Sequence, residues 1–226
     1  MSSSTLPLLD SSLYPQVWQQ QIFISPQALL LSMLTLSTDI TADTNASAFA
    51  KRLLADEVYQ EWINTTVFGR YLHRNFIAFY QQTEDSFNTD MPAIFRQELM
   101  RHTQYLPLNQ VLFFAGDMPK SVRQIKILTT TVNPATAIIN AQTMSQKLTQ
   151  KLATNSPKLF INQITVTGKQ VSGFAIRHNK RTRERLRNEV LILDFQDLRL
   201  VHEQTIKDIK KSNIEDSILL RSYEIR

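Results

Sequence analysis

The spacing of apolar residues divides the chain into a helical first half and a second half rich in strands. Apolar positions recur at helical spacing in four segments of the first half. These segments are Ile22–Leu36, in which Ser25 caps the helix and Pro26 enters its first turn, then Phe49–Trp62, Val67–Phe79 and Ile94–Met100. The first half therefore predicts a lobe of helices.

Short runs of β-branched and apolar residues dominate the second half, and their lengths are typical of strands. The runs are Val111–Ala115, Val122–Thr131, Leu159–Val166, Val171–Ile176, Glu189–Phe195, Leu198–His202 and Ser217–Ile225. One clear helix interrupts them, because an apolar stripe extends from Ala137 to Leu152 behind Pro134. Helices followed by strands with one embedded helix predict an α+β fold and not alternating βαβ units.

Two connections between these runs carry signals of their own. Thr165–Val171, with Gly168 near its centre, predicts a hairpin turn, and Ile206 with Ile209 predicts a short helix. No linker clearly splits the chain, so we expect one compact unit overall. Its expected parts are a loosely ordered N-terminus at residues 1–21, a helical lobe at 22–106 and a β-rich core at 107–226.

The composition excludes several common kinds of site. The 226 residues include no cysteine, which excludes disulfides, cysteine zinc sites, iron–sulfur clusters and a thiol nucleophile. The four glycines, at 69, 116, 168 and 173, cannot assemble a Gly-x-Gly-x-x-Gly or Walker-type loop. The four histidines have no metal-ligand spacing, so we expect no metal site.

The net charge of +5 comes from one basic segment. Residues 1–50 contain three aspartates and no lysine or arginine, whereas Arg177–Arg187 contains six basic residues and only Glu184 as an acid. Such a run is either a solvated connection between strands or a surface that binds nucleic-acid phosphates. It lacks the interleaved aromatic residues on which bases stack.

The N-terminal pattern indicates no signal peptide and no membrane span. Met1–Thr5 lacks the positive charge of a secretory signal, so we expect no cleavable signal. The most apolar stretch, Ile22–Leu36, is interrupted by polar residues and is shorter than the roughly 20 residues that a span needs. The first twenty residues, rich in Ser and Gln, predict a loose terminus or a tag for a needle-type export system.

Three features follow one another in the strand-rich half. Val111–Gly116 ends a strand with aromatic residues and a glycine, Ile127–Pro134 is a strand with three threonines leading into a helix, and Arg187–Leu193 is a strand that opens with a carboxylate. In this order they resemble the aromatic-Arg-Gly, Ser-Thr-Ser and Glu-x-Glu motifs of the mono-ADP-ribosyltransferase toxin and effector fold. The resemblance implies a helical N-terminal lobe followed by a mixed β-sandwich core.

The resemblance also implies a reaction that breaks the bond between nicotinamide and ribose in NAD. Its transition state is oxocarbenium-like, and a carboxylate hydrogen-bonded to the ribose stabilises the developing positive charge. By resemblance Glu189 takes this catalytic role, while the hydroxyls of Thr129 and Thr130 orient the carboxylate and the ribose. A solvated glutamate and threonines with ordinary β propensity are the alternative interpretation.

The residues expected to bind NAD lie at neighbouring strand ends. Phe114, or Phe113 before it, either stacks on the nicotinamide ring or fills the core. Gly116 lets the backbone approach the nicotinamide closely, and the hydroxyl of Thr131 helps to orient the ribose. Ala115 stands where the family has the arginine that clamps the NAD phosphates, and a methyl group cannot grip a phosphate. The candidate substitutes in the sequence are Arg123, Lys120, Arg70 and Arg74.

Two further departures concern the acceptor of the ADP-ribose. Arg187 replaces the first acid of Glu-x-Glu, which in the family accompanies arginine acceptors, so we expect no arginine modification. The family's loop before the catalytic glutamate helps to choose the acceptor. The corresponding basic residues here, expected to contact the acceptor or partner, are Lys180, Arg181, Arg183 and Arg185.

The sequence therefore predicts an atypical mono-ADP-ribosyltransferase with NAD as substrate and a macromolecular acceptor, preferably a protein. The resemblance implies a bacterial effector or toxin of the bacterial cytoplasm that is delivered into a host or target cell. One alternative is a non-catalytic module of the same fold that binds a protein or nucleic acid through residues 177–187. Another is an unrelated α+β nucleic-acid binder.

Overall fold

The structure is a computed structural model that describes residues 13–14, 28, 32, 39–65, 104–118, 128–152, 159–176, 187–207 and 217–226. The helices with defined bounds in these ranges are α1 (Asp39–Ala55), α2 (Glu57–Thr65) and α3 (Pro134–Leu152). The strands are β1 (Gln104–Tyr105), β2 (Val111–Ala115), β3 (Leu128–Thr131), β4 (Leu159–Val166), β5 (Ser172–Ala175), β6 (Glu189–Asp194), β7 (Leu198–Lys207) and β8 (Ser217–Ile225). The order of these elements confirms the predicted α+β class.

The eight strands join in one mixed sheet with the order β1-β5-β6-β3-β2-β4-β8-β7. Neighbouring strands are antiparallel except β4 and β8, which run parallel. Within the described residues, Phe113 and Thr131 form the only register pair between β2 and β3. This pair joins an antiparallel section, β1-β5-β6-β3, to a mixed section, β2-β4-β8-β7. The described strands therefore form one sheet with a narrow joint, whereas the β-sandwich expected from the resemblance consists of two sheets.

Apolar side chains from both sections of the sheet belong to one buried cluster. The members from the mixed section include Leu112, Ile164, Val166 and Ile225. The members from the antiparallel section include Leu128, Phe174, Val190 and Ile192. Successive residues of a strand point to opposite faces, so the other face of the mixed section needs its own cover. Helix α3 supplies that cover, because Ile138 and Ala141 pack against Ala115 and Ile161.

Helices α1 and α2 are separated by Asp56, which interrupts the predicted helical segment. The Asp56 carboxylate accepts a hydrogen bond from the Tyr59 N–H over 2.8 Å, a typical N-cap interaction that starts α2. Helix α2 then packs on β5. The Trp62 ring stacks on that of Phe174 at 5.3 Å between centroids, and the Tyr59 hydroxyl donates to the Ala175 carbonyl at 2.8 Å.

Both predicted connections differ from the structure. Thr165–Val171 is not a hairpin turn, because β4 pairs with β2 and β8 whereas β5 pairs with β1 and β6. The N–H groups of Thr167 and Gly168 instead donate to the Ile225 carbonyl. Ile206 lies in β7 and not in a helix, because β7 continues its pairing with β8 and buries this side chain in the α3 cluster.

Several predicted elements lie outside the described residues. They are the helices at 67–79 and 94–100, most of the helix at 22–36, the part of the strand at 122–127, and Ile209. Within the predicted N-terminus, Tyr14 is buried and its ring lies 5.9 Å from that of Phe49. None of the helices in the described ranges has the length and apolar character needed to cross a membrane.

The contact between α2 and β5 predicts the effect of truncating Phe174. Phe174→Ala removes the ring that meets both Trp62 and Tyr59, so we expect it to lower the free energy of unfolding by about 3–5 kcal/mol. Tyr105→Ala is the control, because this side chain is 53% exposed, and a change of about 0.5 kcal/mol or less is expected. Chemical denaturation of both variants measures the difference, and equal losses would contradict the packing.

Candidate active site

A row of three paired residues crosses β2, β3 and β6 at the joint of the sheet. Phe113 pairs with Thr131, and Thr131 pairs with Glu189. Directly paired residues on adjacent strands point to the same face, so these three side chains share one face. Ala115 lies two residues beyond Phe113 and points to that face as well. The three motifs found in the sequence therefore meet on adjacent strands.

Glu189 is a nearly buried carboxylate at the start of β6, with 7% of its side chain exposed. Its Oε1 lies 3.6 Å from Nη1 of Arg187, whose side chain is 32% exposed. The Arg187 Nη2 also donates to Asn140 Oδ1 of α3, at 3.4 Å. Burial of a carboxylate is unfavourable unless it is paired, so the guanidinium helps to keep Glu189 at this position beside the first turns of α3.

The backbone before Glu189 is held by Asn188. Its φ of 48° lies in the left-handed region, which asparagine tolerates better than most residues. The Asn188 Nδ2 donates to the Ala46 carbonyl of α1 at 3.1 Å, and the Asn188 carbonyl accepts from the Val132 N–H at 3.1 Å. Helix α1 and the end of β3 together fix the turn that delivers Glu189 to the joint.

Thr131 holds the backbone on both sides of this joint. Its hydroxyl accepts from the Asn133 N–H at 2.9 Å and donates to the Arg187 carbonyl. The Asn133 Oδ1 in turn accepts from the Ala135 N–H at 3.0 Å, which caps α3. One buried hydroxyl thus connects the end of β3, the start of α3 and the residue two positions before Glu189.

The hydroxyls of Thr130 and Thr131 have backbone partners and not the Glu189 carboxylate. Thr130 points to the opposite face from Glu189, and its hydroxyl donates to the Val190 carbonyl at 2.6 Å. Thr129 is half-buried, and its hydroxyl makes no hydrogen bond within the described ranges. The sequence predicts that these hydroxyls orient the carboxylate and the ribose. In the structure, the hydroxyls of Thr130 and Thr131 instead bind backbone groups.

Ala115 and Gly116 end β2 against helix α3. Ala115 is buried beside Ile138 and Ala141, so an arginine at this position would have to displace the helix. Gly116 has a φ of 91°, which favours glycine, and a Cβ here would lie 3.1 Å from the Met144 Sδ. Helix α3 thus lies close to the end of β2 at the position where this chain has alanine and the family has arginine.

The two phenylalanines before Ala115 point to opposite faces. Phe113 is buried against Ala137 of α3 on the face of Glu189. Phe114 is partly buried and packs against the central core on the other face. The structure therefore brings Thr131 to Glu189, but it places Phe114 and Thr130 on the opposite side of the sheet.

Arg221 of β8 forms a polar cluster near the end of β2 that sequence reasoning missed. Its Nη1 donates to Asp117 Oδ1 at 2.7 Å, its Nε donates to Glu203 Oε2 at 2.6 Å, and its guanidinium lies 5.2 Å from the centre of the Phe160 ring. The hydrogen bonds to Glu203 and Asp117 raise the pKa of Arg221 above its ordinary value. One signal existed in the sequence, since a charged residue directly follows the apolar run Ile218–Leu220.

The cations expected to bind phosphates or a partner lie outside the described residues. They are Arg70, Arg74, Lys120, Arg123, Lys180, Arg181, Arg183 and Arg185. In the part of the chain that the structure does describe, no group of three or more His, Cys, Asp or Glu residues has the arrangement of a metal site.

The hydroxyl of Thr131 predicts a loss of stability when it is removed. Thr131→Val keeps the shape of the side chain but leaves the Arg187 carbonyl and the Asn133 N–H without this partner, so we expect the free energy of unfolding to fall by about 1–3 kcal/mol. Thr129→Val is the matched control on the same strand, with an expected change of about 0.5 kcal/mol or less. Denaturant titration compares the two, and an equal effect would refute the role given to Thr131.

Comparison with known proteins adds no family assignment to this geometry. No protein-family model matches the chain, and no curated protein matches it. The candidate site is therefore defined by the row Phe113–Thr131–Glu189 and by the residues that hold it in place.

Proposed function

We propose that the chain is an atypical mono-ADP-ribosyltransferase whose catalytic carboxylate is Glu189. The observation that carries the proposal is the row Phe113–Thr131–Glu189, which brings the three motifs of the resemblance onto adjacent strands. Three strands that are separate in the sequence need not be neighbours in the sheet, and their motif residues need not point to the same face. Their convergence at one joint supports a common site.

The division of the sheet supports the finer proposal of an ADP-ribosyltransferase type of fold with a β-sandwich core. In the described part of the chain, two four-stranded sections meet at one residue pair and contribute to the same apolar cluster. A sandwich requires two layers that bury one core between them. Helices α1 and α2 beside the antiparallel section are consistent with the proposed helical lobe.

The proposed reaction transfers ADP-ribose from NAD to a macromolecule. The bond between nicotinamide and the ribose breaks, and its electron pair leaves with nicotinamide. The acceptor nucleophile then bonds to the same ribose carbon and loses its proton. Glu189 stabilises the positive charge that develops on the ribose between these two steps. Arg187 lies 3.6 Å from the Glu189 carboxylate and brings a positive charge to the site, which disfavours a cationic acceptor such as arginine.

The remaining parts of the proposal rest on the sequence. Arg123 is the proposed phosphate-binding cation, and the basic run 177–187 is the proposed contact for a protein acceptor or a nucleic acid. The resemblance supports a bacterial effector or toxin that acts in a host or target cell after delivery.

Replacing the carboxylate tests the proposal most simply. Glu189→Gln keeps the size of the side chain and removes its charge, so we expect nicotinamide release from NAD to fall by at least about 100-fold. Glu224→Gln is the matched control, because Glu224 is an exposed carboxylate on β8, and it should keep wild-type turnover. Release is measured by chromatography with cell lysate as a source of acceptors. Unchanged release from the Glu189 variant would refute the catalytic role.

A non-catalytic module of the same fold is the second candidate, and two observations favour it. Ala115 is packed against α3 where the family has its phosphate clamp, and the hydroxyls of Thr130 and Thr131 are engaged by the backbone. Under this candidate the site is a remnant, and binding occurs through residues 177–187.

Charge reversal in the basic run separates the two candidates. If the chain is a binding module, Arg183→Glu combined with Arg185→Glu should abolish partner binding while the melting temperature is unchanged. Pull-down from lysate with the wild-type chain as bait provides the partner for this comparison. NAD turnover that is lost with Glu189→Gln would exclude the module, whereas partner binding that survives charge reversal would remove its proposed surface.

A further inference from the structure

The turn that ends β2 is held by side chains from two other strands. Gly116 adopts a φ of 91°, and its N–H donates to the Phe160 carbonyl of β4 at 3.0 Å. Its carbonyl accepts from the Asn162 Nδ2 at 2.6 Å, and the next residue, Asp117, accepts from Arg221 at 2.7 Å. The two residues Gly116 and Asp117 thus have three separate anchors on β4 and β8.

Asn162 is fully buried in the middle of the sheet, on a strand whose other residues are mainly apolar. Its Nδ2 donates to the carbonyls of both Phe114 and Gly116, at 3.2 and 2.6 Å. Its Oδ1 has no hydrogen-bond partner within the described part of the chain. The Asn162 side chain therefore binds the Phe114 and Gly116 carbonyls through its Nδ2 group alone.

The energetics of Asn162 indicate that its value is positional. Each hydrogen bond of a buried amide contributes about 0.5–1.5 kcal/mol, while a buried acceptor left without a partner costs about 1–3 kcal/mol. An apolar residue of similar size would remove the unpaired Oδ1, but it would also leave the Phe114 and Gly116 carbonyls without this donor. Stability alone therefore favours neither side chain strongly. What the apolar residue could not do is fix the direction of the Phe114 and Gly116 carbonyls.

Arg221 fixes the same turn from the neighbouring strand. Asn162 and Arg221 are register partners on β4 and β8, so they act from adjacent positions. The Arg221 side chain is 20% exposed, lies over the Phe160 ring, and is held in place from the β7 side by Glu203. Its remaining contact, with Asp117, therefore ties the residue after Gly116 to a guanidinium that cannot easily move.

We propose that Asn162 and Arg221 are positioning residues that preform the Gly116–Asp117 turn as a wall of the NAD site. The inference deepens the proposed function, on which it rests, because the resemblance behind that function implies that the nicotinamide end of NAD lies against Gly116. Preorganisation of this kind lowers the cost of ordering a binding loop when the ligand arrives. It acts on binding of the substrate and not on the chemical step performed by Glu189.

Two variants remove one anchor each, and a third serves as control. Asn162→Leu removes the donors to the Gly116 carbonyl at similar volume, and Asp117→Asn weakens the link to Arg221. Asp197→Asn weakens a comparable exposed pair, with Arg226, at the end of β8. We expect the first two to raise the KM for NAD about tenfold with kcat within about twofold of the wild type, and the control to change neither.

A second readout follows the turn itself. Hydrogen exchange of the Gly116 N–H, measured by NMR, should accelerate about tenfold or more in Asn162→Leu and Asp117→Asn, but not in Asp197→Asn. Faster exchange with an unchanged KM, or an unchanged exchange rate in both variants, would overturn the proposal. A wild-type chain that neither binds nor turns over NAD would refute the proposed function instead, and the exchange comparison would then still decide whether the two residues position the turn.

Discussion

The pairing of Phe113 with Thr131 is the contact on which the arrangement of the candidate site depends. Among the residues that the structure describes, it is the only register pair between β2 and β3, and it joins the two sections of the sheet. Strand β6 continues the row from Thr131 to Glu189, while α3 starts directly after β3. Any change in this register would separate the carboxylate from the end of β2, since a slip of one residue turns side chains to the other face.

Polar groups rather than apolar packing fix the details at this joint. Thr131, Asn133, Asn162, Asn188 and Glu189 are all buried at less than a tenth exposure. Their side chains bind carbonyl and N–H groups of neighbouring segments, or a guanidinium in the case of Glu189. Such directional contacts specify a backbone geometry that an apolar core alone leaves free. These buried polar residues therefore determine the backbone geometry at the joint more than they add to the free energy of folding.

The sequence predicts the strands better than their partners. The bounds of β2, β4 and β8 coincide with the predicted runs, because strand length and β-branched composition are local properties. The false hairpin at Thr165–Val171 shows the limit, since turn-like residues carry no information on which strands pair. Ile206 shows it again, because pairing with β8 outweighs helical spacing over a few residues.

The candidate site was only partly accessible to sequence reasoning. The resemblance implies that Thr129 and Thr130 orient the Glu189 carboxylate, whereas the structure pairs Glu189 with Thr131. The roles of Asn162 and Arg221 could not be predicted, because they depend on the parallel pairing of β4 with β8 and on side chains reaching a third strand. The backbone role of the Thr130 hydroxyl likewise depends on which face each threonine presents.

Mapping NAD onto the chain by NMR tests the central claim most directly. Addition of NAD to isotope-labelled protein should shift the amide resonances of Gly116, Thr131 and Glu189 together, because these residues lie around the joint of β2, β3 and β6. Amides of β7, such as those of Arg199 and Thr205, should remain unchanged. Shifts confined to β7, or no shifts at saturating NAD, would contradict the account.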